Sequence, residues 1–460
     1  MFKLKPSFYL KYLTRNITLS QHERNVCWPR PDYGPMEVQR SVLLNGIRVA
    51  AVKPLGSQIA ACTIMYQAGS RYESDDHIGA GHFIRVGASS SGCGYTSFSK
   101  MRYLQQNGAT ITCSTDRQKI SFTLQCPVTC YPELKHYLLD TAARCCYNKW
   151  ELDDRKQLIR EDLMHIHPEQ RVIDLVQRAC FTGPLSNSVF CEEERIHDMS
   201  ENSVNCFART HFRSDACSIA SIGVPFEETL KLAEKIEFKR EKPPTRWEHL
   251  SCARGGFELY DLGPGSDTWI AVAVPGCGTC DISDLLKHAI VAAACGTGNM
   301  QVGQHSLDRT PQPPLGKMAG DDVYTEYKAF NISYRETGLF GIVAKTRAST
   351  AFNVALAAAE FLANVGDLDS SQIQVGKRRL ELSLAMNEDS CVGVTEGMAL
   401  QLANNIQMDS AKSALCMIEL LCPEEISCTA KALSSKRGCM AVAVVGDIGA
   451  VPHDRELICQ

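Results

Sequence analysis

The stretch His77-Ile-Gly-Ala-Gly-His-Phe-Ile-Arg-Val-Gly-Ala-Ser-Ser90 decides how the rest of this chain is read. It follows Gln67-Ala-Gly-Ser-Arg-Tyr-Glu73, which reads as a strand end running into a loop. Gly79 and Gly81 suit a tight turn into a helix, because glycine reaches backbone angles closed to other residues. His82, Phe83, Ile84, Arg85 and Val86 then fill that helix's early turns. Positions 82 and 86 lie one turn apart and share a face. His82 offers a ligand nitrogen there, and Val86 offers no ligand atom at all. A lone histidine is ordinarily a satisfied core or surface group, so any functional meaning has to come from its surroundings.

A zinc peptidase of the H-x-x-E-H kind puts two histidines at i and i+4 on one helix face, with a glutamate between them as general base. This chain reads H-F-I-R-V. Arg85 stands at the base position, and a guanidinium stays protonated and cannot take a proton from water. With Ala68-Gly-Ser-Arg-Tyr-Glu73 and Gly79-x-x-His82-Phe-Ile, the stretch resembles the start of the M16 metallopeptidase family, which includes the mitochondrial processing peptidases. The resemblance implies a third ligand, a glutamate, roughly 75 residues past the second histidine position. Counted from Val86, that lands on Glu161, in Leu158-Ile-Arg-Glu-Asp-Leu163. His82 and Glu161 therefore survive from the family's site, while Arg85 and Val86 mark its losses. The implied molecule is an inactive family member with no catalytic residue, no bound metal and no cofactor.

The chain has 460 residues, enough for two or three domains with sizeable cores. Its net charge of -4, without a basic stripe beyond the N-terminus, argues against nucleic acid as a partner. Met1–Ser20 is different: it carries Lys3, Lys5, Lys11 and Arg15, no acid, and hydroxylated residues among apolar ones. That is the description of a mitochondrial presequence, expected with its tail to occupy residues 1–34. No apolar run approaches the roughly 18–20 residues that a spanning helix needs, so membrane association is expected only through partners. The 22 cysteines are scattered singly through apolar patterns, as in Leu415-Cys416-Met417-Ile418, the usage of reduced thiols packed as small hydrophobes. Cys277-Gly-Thr-Cys280 lies between a strand pattern and a helix pattern, but lacks the preceding tryptophan and small-domain setting of a redox motif.

Gln39–Val52 reads as a hairpin around Asn45-Gly46. A strand over Ile59–Gln67 precedes the His82 helix, and paired strands follow at Ala109–Thr115 and Lys119–Cys126. Helical periods cover Tyr131–Tyr147, Trp150–His165, a segment opened by Pro168, and Ser200–His211, before a buried strand at Ala216–Gly223. Residues 238–252, with Lys239-Arg-Glu-Lys-Pro-Pro-Thr-Arg246, read as an exposed linker. The plan then recurs. Phe257–Leu262 and Thr268–Pro275 are strands and Asp281–Cys295 a helix. Ala329–Tyr334 pairs with Leu339–Ala344. Ala351–Val365, Ser370–Met386, Cys391–Ile406 and Pro423–Leu433 are helical, and Cys439–Gly446 is a final strand. The expected fold is α+β, a duplication with domains at 35–237 and 253–460, each an antiparallel-rich sheet covered by helices. The M16 family has two such domains per chain. Ala329-Phe-Asn-Ile-Ser-Tyr-Arg-Glu-Thr-Gly-Leu-Phe-Gly-Ile342 resembles the strand pair of its second domain.

Cys295-Gly-Thr-Gly-Asn-Met-Gln-Val-Gly303 is not a phosphate loop, since it lacks G-x-G-x-x-G, and Gly316-Lys317 lacks its Walker partners. Within the M16 family this short glycine loop, with an arginine and an apolar residue at 85 and 86, is similar to the non-catalytic core subunits of the mitochondrial cytochrome bc1 complex. That implies a structural subunit of respiratory complex III at the matrix side of the inner membrane, supporting assembly and ubiquinol-to-cytochrome c electron transport. Its partners would be the catalytic-type core protein 1, cytochrome b and cytochrome c1. The alternative left open is a non-catalytic α-type subunit of a processing peptidase that binds presequences. The Gln301–Pro314 insertion and the cysteine load depart from the bc1 pattern.

Overall fold

The computed structural model describes residues 38–52, 58–144, 146–236, 251–298, 313–319, 322, 324–406 and 411–452. The expected leader, nearly all of the linker and most of the Gln301–Pro314 insertion lie outside the described residues.

The first half runs β1 (Val38–Val42), β2 (Arg48–Val52), β3 (Ile59–Tyr66), α1 (Ala80–Val86), α2 (Ser97–Gln106), β4 (Thr110–Thr115) and β5 (Ile120–Pro127). It continues through α3 (Tyr131–Ala142), α4 (Lys149–His165), α5 (Pro168–Cys180), β6 (Phe181–Thr182), α6 (Glu201–His211), β7 (Cys217–Ile222) and α7 (Phe226–Glu234). The second half runs β8 (Cys252–Ala253), β9 (Gly256–Asp261), β10 (Thr268–Pro275), α8 (Ile282–Cys295), β11 (Thr297–Gly298), α9 (Pro314–Ala319), β12 (Glu326–Ser333) and β13 (Gly338–Thr346). Four helices follow, α10 (Ala351–Ala363), α11 (Ser370–Glu388), α12 (Cys391–Ala403) and α13 (Ala411–Leu420), then α14 (Pro423–Ser434) and β14 (Ala441–Gly446).

Among the described residues twelve strands form two six-stranded sheets, ordered β1-β2-β7-β3-β5-β4 and β11-β12-β13-β10-β14-β9, and β6 pairs antiparallel with β8 in a two-stranded one. Without β1 and β11 the orders of the two large sheets are the same. Each large sheet has one parallel pair, β2 with β7 and β9 with β14, among antiparallel neighbours. The β1–β2 hairpin turns at Asn45-Gly46, where Gly46 has φ 92° and Asn45 Oδ1 accepts the Ile47 N–H at 3.1 Å. In β12–β13, a Cβ at Gly341 would stand 2.5 Å from the Val272 carbonyl oxygen, so the close approach of β10 requires glycine there.

The central strands are buried on both faces, and the two faces belong to different halves of the chain. Alternate residues of β3 divide accordingly. Cys62, Ile64 and Tyr66 enter the core beneath the first half's own helices. Ala61 and Met65 instead meet Met398, Ala399 and Ala403 of α12. The second sheet returns the arrangement. Ile270, Val272 and Val274 of β10 face their own core. Ala271 and Ala273 meet Val172 and Val176 of α5. Each half thus lends one helix to the other's sheet. Small residues on the receiving strands let the helices sit close, and a Cβ at Gly256 would stand 2.7 Å from the Ala179 carbonyl oxygen of α5.

Polar contacts fix both exchanges. Thr63 Oγ1 donates to Thr395 Oγ1 at 3.1 Å, and Ser218 Oγ donates to the Ala399 carbonyl at 2.9 Å. On the other side Arg117, 1% exposed, pairs with Asp174 of α5 at 2.7 Å and donates to the Leu185 carbonyl at 3.1 Å. The Tyr334 hydroxyl donates to Gln177 Oε1 beside it. Helix α13 was not distinguished in the sequence, and the helix expected over Tyr131–Tyr147 stops at Ala142.

Candidate functional site

Glu73 sets the local fold of the decisive stretch. Its buried carboxylate accepts the N–H groups of Gly79 at 2.8 Å and Gly81 at 2.7 Å, satisfying donors that the first turn of α1 leaves free. Burial pushes the Glu73 carboxyl up to about 7, against the downward pull of those two donors. Gly79 has φ 95°, and a Cβ on it would meet Cys191 Sγ at 2.6 Å. The tight turn therefore depends on glycine for backbone angle and for space.

His82 is fully buried. Its Nδ1 accepts the Cys191 N–H at 3.1 Å, so that nitrogen carries no proton and its lone pair is taken. Nε2 then bears the proton and donates to Asp162 Oδ2 at 2.9 Å. Burial lowers the basicity of His82, with the hydrogen bond to Asp162 acting in the opposite sense. The ring is thus neutral, and Phe190 packs edge-on to it at 6.0 Å. Arg85 Nη2 donates to the same Asp162 oxygen at 2.6 Å. The His82 hydrogen bond leads, with Arg85 adding to it, in holding the Asp162 carboxyl down to about 2. Val86 packs against the first-half core, and its carbonyl accepts from Arg155 of α4 at 3.0 Å.

Glu161 is not opposite α1. It is exposed, and among the described residues its side chain accepts a hydrogen bond only from its own helix, from Gln157 at 3.4 Å. One residue along α4 turns the side-chain direction by about 100°, and that turn puts Asp162 on the facing side instead. The structure brings together His82, Arg85 and Asp162 and leaves out Glu161. The sequence did hold a signal for Asp162, an acid next to the counted position, but an approximate spacing cannot choose between neighbours.

This arrangement does not fit a catalytic zinc ion. Such a site needs three protein ligands and an open position for water. Both nitrogens of His82 are already engaged, Asp162 is bound by a cation of the chain, and Val86 contributes nothing. Among the described residues no cluster of three or more His, Cys, Asp or Glu side chains is placed to hold a metal. What remains is a structural brace between α1 and α4.

Cys277 and Cys280 turn to different partners, Cys277 lying 3.8 Å from Ser333 Oγ and Cys280 donating to the Arg335 carbonyl at 2.9 Å. Both are free thiols. The glycine loop after α8 is described only as far as Gly298.

Comparison with known proteins agrees with this picture. The profile of the family described as Insulinase (Peptidase family M16) matches residues 48–193, the segment holding α1 and Asp162. The chain is 23% identical over 434 residues to human cytochrome b-c1 complex subunit 2, mitochondrial, covering 92% of each chain. It is 23% identical over 431 residues to the mitochondrial-processing peptidase subunit alpha of Solanum tuberosum, covering 92% of this chain and 85% of that one. Among solved structures, a chain of complex III2 from Candida albicans with Inz-5 bound superposes with a TM-score of 0.75 at 15% identity. The overlap covers 92% of this chain and 99% of that chain, so the α+β duplication is a fold already seen in a solved assembly. The resemblance to the M16 family and to bc1 core subunits, read from the motif, holds.

Proposed function

We propose that this chain is a non-catalytic core subunit of mitochondrial respiratory complex III, of the core protein 2 type. It supports assembly and ubiquinol-to-cytochrome c electron transport as a scaffold and carries no electrons itself. The observation that carries the reading is the site: Arg85, Asp162 and neutral His82 satisfy one another where the family's peptidases hold their ion and base. Similarity to human b-c1 subunit 2 over 92% of both chains supports the same assignment. Core protein 1, cytochrome b and cytochrome c1 are the partners this role requires. No helix among the described residues is long and apolar enough to cross a membrane. Attachment at the matrix side of the inner membrane would therefore run through those partners.

The similarity to the potato α subunit favours a second reading, a non-catalytic α-type subunit of a processing peptidase that binds presequences. Blue-native electrophoresis of mitochondria, followed by immunodetection of this chain, separates the two. Co-migration with complex III supports the core-subunit role. Co-migration with a soluble heterodimer refutes it in favour of the peptidase.

A further inference from the structure

We propose that the solvent face of α4 is a docking surface for a cationic amphipathic helix of a partner chain. This face is turned away from Leu152 and Ile159, which α4 buries. It is apolar where the outer side of a lone surface helix is ordinarily polar. Trp150 is 68% exposed, Leu158 45% and Met164 72%. At about 100° per residue the three fall within about a third of the helix's circumference, and they span about 21 Å of its axis.

The charges of α4 are sorted between its two sides. Arg155 donates to the Val86 carbonyl at 3.0 Å, Lys156 pairs with Asp153 at 3.1 Å and Arg160 meets His197 Nε2 at 3.2 Å. Lys149 stands at the helix's N-terminal end. Among the acids, Glu151 accepts from Ser91 and Asp162 from Arg85. Asp154 and Glu161 are left exposed on the apolar face, and neither forms an ion pair among the described residues. They are seven residues apart, so they leave the same side of the helix about 10 Å from each other along its axis.

That pattern specifies the occupant. Its apolar side chains must cover Trp150, Leu158 and Met164, and two lysines or arginines seven residues apart must meet Asp154 and Glu161. A second copy of this chain across a two-fold axis would set acid against acid, at a cost that disfavours it. An anionic lipid surface is repelled by the same two carboxylates. The face is also rigid, because Asp162 and Arg155 tie α4 to α1, and docking onto a fixed helix loses little order. The inference rests on the core-subunit reading for the source of the helix, a neighbouring subunit of the complex.

The test titrates the full chain with a synthetic leucine–lysine helical peptide of about 18 residues, long enough to cover the row, with its lysines seven residues apart. Saturable binding is expected, weakening as salt rises, and zero-length carbodiimide coupling should join the peptide's lysines to Asp154 and Glu161, mapped by mass spectrometry. Asp154→Lys with Glu161→Lys should weaken binding about tenfold or more, and Leu158→Ser with Met164→Ser should weaken it at high salt. A peptide coupled to other carboxylates, or bound as well by the charge-reversed variant, overturns the proposal. The wild-type coupling map decides the matter even if a variant fails to fold. In mitochondria the charge-reversed chain should be lost from complex III on blue-native gels. A wild-type chain that never co-migrates there defeats the core-subunit reading instead, with the coupling map unaffected.

Discussion

Arg85 Nη2 lies 2.6 Å from Asp162 Oδ2, so a cation of the chain itself faces the carboxylate that would otherwise be free to bind a metal. His82 donates to the same oxygen and is held neutral by burial. At ~4 Å and an effective dielectric of ~20, a guanidinium repels a dication by about 8 kcal/mol, an upper limit since a surface arginine can swing aside.

Reversing the two losses should reopen the site around Asp162. Arg85→Glu with Val86→His restores the helix-face pair and removes the repelling charge. Asp162, already within hydrogen-bonding reach of His82, would serve as the third ligand. Calorimetric titration should detect zinc binding in this double variant, and adding Asp162→Ala should abolish it while Glu161→Ala leaves it intact. Loss through Glu161→Ala alone would restore the counted assignment.

Acid should weaken the brace in two stages. His82 has a lowered pKa in the fold, so its contribution is full above the unfolded histidine value of about 6.5 and falls as pH drops below it. Asp162 follows: its contribution is full above 3.8 and is lost as pH falls toward about 2. Urea midpoints measured against pH should therefore decline from neutrality downward. Asp162→Asn should cost about 1 kcal/mol at pH 7, modest because the side chain is 36% exposed and solvent screens it. The variant should also flatten the decline below pH 4.

The Arg117–Asp174 pair should show the opposite energetics of deep burial. Arg117→Met leaves Asp174 in the core with only the Ser188 hydroxyl and the Val189 N–H. A loss of about 3–5 kcal/mol is expected, and Arg117→Met with Asp174→Leu should recover much of it. Equal losses in the single and double variants, by urea unfolding, would contradict the assignment.

Neither half should fold alone. A fragment ending before residue 251 keeps α5 without its sheet and exposes the β3 face that α12 covers. Expressed separately, each half should aggregate or give poorly dispersed NMR spectra, while co-expression should recover a soluble pair. A cooperative, monomeric first half would show the exchange to be dispensable.

Cys277→Ser with Cys280→Ser should change stability by no more than about 0.5 kcal/mol, because each thiol makes only a local contact. A larger shift in the urea midpoint would point to a linked pair.

Much of the architecture was legible because local chemistry and periodicity dictate it. Asn45-Gly46 defines a hairpin, alternation reveals β4 and β5, and the duplication follows from the repeated order of elements. The helix exchange was not legible. An apolar stripe on Val172 and Val176, or on Met398 and Ala399, says that a helix is buried but not on which sheet. The doubly buried strands Ile59–Tyr66 and Thr268–Pro275 carried the only trace, since apolar residues fill both of their faces. At the site, His82 and Arg85 were legible from the motif. Asp162 was missed because the spacing is approximate, whereas a helix turns each neighbour to a different face.

The most direct test is the zinc content of the full chain, purified without chelator, equilibrated with zinc and desalted before elemental analysis. Well under one equivalent per chain is expected, unchanged by His82→Ala. One equivalent in the wild-type protein, lost in His82→Ala, would contradict it and return the chain to the metallopeptidases.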